Sequence, residues 1–100
     1  MTLIDKHTKV IQNLCHRYKV KRLYAFGSVL TNQFNSASDI DLMVDFELQD
    51  MDEYADNYFN LKFALEDTFK RKIDLLEEKA IKNPYFKQSI ERNRQVVYGN

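Results

Sequence analysis

Apolar residues near the start of the chain fall at positions 3, 4, 10, 11, 14, 15 and 18, the repeat of one helical face. This predicts a helix from Leu3 to Tyr18, opened by Thr2 and Asp5 as a capping box. The period then changes. Lys21 to Phe26 (KRLYAF) is rich in aromatic and β-compatible residues and predicts a first strand, broken by Gly27-Ser28. Val29 to Phe34 is expected as a short helix whose N-terminus points at that turn, and residues 35 to 38 as a polar loop. Ile40 to Phe46 alternates, with Ile40, Leu42, Val44 and Phe46 on one face and Asp41, Met43 and Asp45 on the other. That is a second strand.

Asp50 and Glu53 read as an N-cap and its box for a long helix from Met51 to Phe69. Met51, Tyr54, Ala55, Tyr58, Leu61, Leu65 and Phe69 trace its inner face, widened by Phe59 and Phe63. Lys70, Arg71 and Lys72 follow where cations suit the helix dipole. Ile73 to Leu76 predicts a third strand, and Glu77 and Glu78 beyond it are expected in solvent. Asn83-Pro84 caps a last helix with Phe86, Ile90, Asn93, Val96 and Val97 inward, ended by Gly99. The order is α-β-α-β-α-β-α. It predicts an α/β (α+β) fold, a small mixed three-stranded sheet with helices packed against one face.

The chemistry concentrates between Gly27 and Leu42 (GSVLTNQFNSASDIDL). Asp39 and Asp41 stand one strand step apart on the same side, and two such carboxylates repel each other unless a cation sits between them. Hard oxygen ligands favour magnesium or manganese. The Gly27-Ser28 turn offers backbone N–H groups and a hydroxyl to a phosphate. Asp74 lies mid-strand among apolar residues, where burial has to be offset by a partner, and a shared metal would serve. The three acids converge only if the second and third strands are neighbours. Asp45, about 13 Å along the strand from Asp41, is left out of the site.

Composition narrows the picture. One hundred residues make one domain with one core. Fifteen basic and fifteen acidic side chains cancel, which argues against stable nucleic-acid binding. The lone Cys15 falls in the first helix's stripe and fits a core position in a reducing cytoplasm. His7 and His16 are nine residues apart on roughly opposite helix faces, too divergent for one metal. The opening residues carry charges throughout, unlike a signal peptide, and no window has the apolar length of a membrane span.

Gly-Ser, ten residues, then Asp-x-Asp resembles the signature of the DNA polymerase beta nucleotidyltransferase superfamily. With a later strand bearing Asp74, the chain as a whole is similar to a minimal nucleotidyltransferase (MNT) domain. The resemblance implies that Asp39 and Asp41 hold two magnesium ions and that Asp74 completes the second ion's shell and helps take the acceptor's proton. It implies further that Gly27 and Ser28 hold the outgoing phosphates while a hydroxyl attacks the α-phosphorus of a nucleoside triphosphate and pyrophosphate leaves. Thr31 and Asn32 stand where relatives commonly carry Arg and Gly, which removes a charge near the site and an easy route to positive φ.

Stand-alone domains of this kind are often antitoxins paired with a HEPN-domain toxin. The resemblance therefore implies ATP as substrate and a tyrosine of a HEPN partner as acceptor. A binding module without turnover is the rival: six Tyr and seven Phe are generous for one small core, with Tyr54, Tyr58, Tyr85 and Tyr98 as candidates for an interface. A structural cation is the third reading. The apolar helix faces suit either a homo-oligomer or a hetero-complex.

Overall fold

The computed structural model describes residues 2–31, 34–35 and 37–99. Four strands form one sheet in the order β3-β2-β1-β4: β1 (Val20–Phe26), β2 (Ile40–Phe46), β3 (Ile73–Glu77) and β4 (Gln95–Tyr98). β1 runs antiparallel to both β2 and β4, while β2 and β3 run parallel. The parallel pair needs a crossover, and α3 (Met51–Phe69) supplies it. The mixed sheet is as expected, but it has four strands. QVVY forms β4 against β1 because the last helix, α4 (Pro84–Asn93), stops earlier than its apolar repeat suggests. Arg94 turns to extended backbone (ψ 150°), and the β-branched Val96 and Val97 suit the strand that follows.

α3 has the bounds its pattern predicts. Asp50 accepts a hydrogen bond from the Glu53 N–H at 2.8 Å, and Lys70 ends the helix in the left-handed region. The first helix is divided into α1 (Thr2–Asp5) and α2 (Thr8–Arg17). The Thr8 hydroxyl donates to the Asp5 carbonyl at 2.9 Å, and His7 Nδ1 lies 3.0 Å from the Leu3 carbonyl, so local side chains occupy groups that a continuous helix would use. The Thr2 side chain of the expected capping box lies outside the described residues.

Two apolar layers sandwich the sheet. Ile11 and Cys15 of α2 and Leu61, Leu65 and Phe69 of α3 pack on Leu23, Ala25, Ile40, Leu42, Val44, Ile73 and Leu75. The opposite face is also covered: Ile90 of α4 packs on Tyr24 and Met43. Helices on one face only is therefore corrected to helices on both. The alternation of β2 forces this, because Met43 has to be buried on the side away from Leu42. Phe59 and Phe63 do not widen the inner face of α3. They stack on each other with centroids 6.2 Å apart and are 52 % and 59 % exposed. Met51 and Ala55 are exposed as well.

Candidate active site

Gly27 turns the chain at the end of β1 with φ at +75°, and a tight 3-10 turn follows over Gly27–Leu30. Val29 is buried and anchors the turn, while the Thr31 N–H and hydroxyl both reach the Ser28 carbonyl at 2.9 Å. The short helix expected over Val29 to Phe34 is thus this 3-10 turn, and Asn32 lies outside the described residues.

The return to β2 is held by an Asx-type turn. The Ala37 N–H donates to Asn35 Oδ1 at 2.9 Å, and the Ser38 N–H to the Asn35 carbonyl at 3.0 Å. Arg71 fastens this turn to the end of α3. Its Nη1 donates to the carbonyls of Asn35 and Ser38, each at 3.0 Å, and its guanidinium lies 4.7 Å from the centre of the Phe34 ring. The sequence assigns Arg71 to the helix dipole; the structure makes it the tether of the loop that delivers Asp39. Nothing local in the sequence signals the partnership, because it spans 36 residues.

Asp39 is exposed just before β2, with Lys72 Nζ 4.0 Å from its Oδ2. Asp41 and Asp74 are partners in the parallel register of β2 and β3, and alternation puts both on the face carrying Met43. Asp41 is half-buried, and its carboxyl is pushed above the ordinary value by burial, then by the charges of Asp74 and Asp39. The three predicted acids and the Gly27 turn therefore meet at one end of the sheet. Among the described residues, no three His, Cys, Asp or Glu side chains are gathered tightly enough to chelate an ion as they stand. Their mutual repulsion and all-oxygen donor set nonetheless suit a hard divalent cation.

A cleft of about 520 Å³ opens between the 3-10 turn and α4. Phe26, Leu30, Phe86 and Ile90 give it apolar walls; Ser89, Asn93 and Gln95 give polar ones. Gly27 borders both this cleft and Asp41, so the cleft adjoins the acids without containing them.

A further set of residues fixes α4 above the sheet. Arg94 lies 4.1 Å over the Tyr24 ring and 3.7 Å from Glu78. Glu78 is thus half-buried and paired, where the sequence puts it in solvent, and Glu77 is half-buried too. Asp45, left out of the site on sequence grounds, is buried and pairs with Arg22 of β1 at 3.1 Å. His7 packs edge-on against Phe69, and Cys15 is fully buried in the core, where burial pushes its thiol up to about 12.

The nucleotidyltransferase domain family matches residues 7–97. The chain belongs to that family. Two Methanocaldococcus jannaschii relatives of this nucleotidyltransferase domain, both named as candidate protein adenylyltransferases, are 38 % and 36 % identical, each covering 91 % of this chain and 87 % of the relative. A solved candidate minimal nucleotidyltransferase superposes with a TM-score of 0.76 at 26 % identity, covering 91 % of this chain and 89 % of its own. A toxin–antitoxin structure with AMP-PNP shares the fold at a TM-score of 0.71 and 20 % identity, covering 93 % of this nucleotidyltransferase domain and 73 % of that chain. A Shewanella oneidensis complex of tri-AMPylated HEPN toxin with MNT antitoxin shares it at 0.66 and 18 %, covering 97 % and 73 %.

Proposed function

We propose that this nucleotidyltransferase domain transfers AMP from ATP to a tyrosine hydroxyl of a HEPN-type partner protein in the cytoplasm, with Asp39, Asp41 and Asp74 as the metal-binding acids. The observation that carries the reading is the pairing of Asp41 with Asp74 in register beside the Gly27 turn, with Asp39 close enough to add its charge. The divalent ions these acids suit would neutralise charge on the triphosphate and make the acceptor hydroxyl easier to ionise.

The chain's own groups supply the rest. The Gly27-Ser28 turn presents backbone to the outgoing phosphates, and the cleft between that turn and α4 receives the nucleoside against Phe26 and Ile90. Asp74, exposed on the outer strand, would help take the acceptor's proton. Little covalent work falls to the protein, so its contribution is positioning and charge. The adenylyltransferase names of its relatives support the choice of AMP, and the HEPN–MNT complexes among its structural neighbours support the choice of partner.

The test is incubation of the protein with labelled ATP, magnesium and a purified HEPN-type helical protein encoded beside it. Label on a tyrosine of that protein is expected, and Asp39→Asn/Asp41→Asn should abolish it. Label on RNA or a small molecule instead would reject the acceptor.

A second reading, neutralisation by binding alone, draws on the exposed Phe59, Phe63 and Tyr85. It prevails if the double variant still neutralises a toxic partner as well as the wild type does.

A further inference from the structure

β3 is an outer strand of five residues, and outer strands are where sheets open first. Lys72 gives its carbonyl to the Ile40 N–H on the β2 side, so by alternation Ile73 and Leu75 turn their backbone groups outward. Both are met by side chains of α3. The Ile73 N–H donates to Glu66 Oε2 at 3.2 Å, and the Tyr58 hydroxyl donates to the Leu75 carbonyl. Asp74 is the residue between them. Its backbone is therefore held on one side by β2 and on the other by two contacts from one helix.

We propose that Tyr58 and Glu66 are positioning residues for Asp74, clamping the outer edge of β3 so that this carboxylate stays level with Asp41. The inference rests on the reading of Asp74 as a metal-binding acid. Asp74 needs such a clamp, because it is an exposed side chain beside a like charge on a strand with only one neighbour. The two contacts suit the task. Both are partly shielded from water, where a hydrogen bond holds its geometry better than at an open surface.

Mn2+ binding, followed by the electron paramagnetic resonance of the free ion, tests this without any turnover. Tyr58→Phe keeps the ring and removes one oxygen. Glu66→Leu removes the acceptor, whereas Glu66→Gln removes the charge but retains a carbonyl to accept from Ile73. Asp74→Asn is the reference. Tyr58→Phe and Glu66→Leu should each weaken Mn2+ binding about tenfold, as outer groups that orient a metal ligand do, and Glu66→Gln should stay near the wild type. Side chains that merely close the sheet edge would lower the melting temperature and leave the Mn2+ dissociation constant unchanged. Wild-type affinity in Tyr58→Phe, with binding lost in Asp74→Asn, overturns the clamp alone. Wild-type affinity in Asp74→Asn overturns the reading of Asp74, and the clamp with it. Should Glu66→Leu fail to fold, Tyr58→Phe decides.

Discussion

A Cβ built on Gly27 would stand 2.5 Å from Oδ2 of Asp41, so the missing side chain of the glycine is the space this carboxylate fills. Gly27→Ala therefore forces Asp41 to move and also strains a backbone at φ +75°. The strain costs about 1–2 kcal/mol. Displacement of a reacting group by about 1 Å lowers transfer roughly 100-fold. Labelled-ATP transfer measured beside a thermal melt separates the two effects. Activity that falls only in step with the folded fraction would show that Asp41 had not been displaced.

Asp41 also sets a pH dependence. Its carboxyl is raised above 3.8 by burial first, then by Asp74 and Asp39. The folded form thus holds this proton more tightly than the unfolded one. The stabilisation is present below 3.8 and is lost as the pH rises through the folded value, leaving an ionised group that repels its neighbours at neutral pH. Asp41→Asn should melt at or above the wild-type temperature at pH 7 without divalent ions, with a flatter dependence on pH just above 3.8. Magnesium should raise the wild-type melting temperature and leave the variant's alone. A variant that melts well below the wild type would contradict the repulsion.

Arg71 separates a tether from a dipole effect. Its Nη1 bonds two carbonyls of the loop that carries Asp39 while the planar guanidinium lies over the Phe34 ring, a combination an ammonium group cannot match. Arg71→Lys and Arg71→Met should both lower transfer about tenfold, because misplacement of a positioned group is costly. If Lys restores wild-type rates, the charge alone matters and the tether is not needed.

Asp45 offers a contrast on the same face of β2. It is 6 % exposed and pairs with Arg22, whose side chain is 36 % exposed and reaches water. Asp45→Ala should lower stability by about 1.5–3 kcal/mol, the range for a lost hydrogen bond to a charged group. That is less than for a pair buried at both ends. Activity per folded molecule should be unchanged in urea-titrated samples, since Asp45 lies four residues along from Asp41. A loss of activity at full folding would bring Asp45 into the site.

Local signals in the chain were reliable guides to β2 and α3. The strict alternation from Ile40 to Phe46 and the Asp50 cap each act within a few residues, and both elements have their expected bounds. The convergence of Asp41 with Asp74 could be stated only as a condition, because strand pairing across α3 is a property of the folded sheet. Two errors have separate causes. Val96 and Val97 fit a helical repeat as well as a strand, and only the open edge of β1 decides between them. Phe59 and Phe63 fit the inner face of α3 by composition only, since two residues along a helix is a turn of roughly 200° and sets them opposite the buried Leu61 and Leu65. Arg71, Tyr58 and Arg94 were illegible for a simpler reason: their partners lie on other elements, and nothing near them in the chain names those partners.

The crossover through α3 also imposes an order in time. A ribosome has laid down Gly27, Asp39 and Asp41 well before residue 74 is joined, and β4, which closes the other edge of the sheet, follows later still. A nascent chain halted before β3 would carry two of the three proposed metal-binding acids and lack the third. On the proposed reading the acids can act together only once β3 has docked against β2.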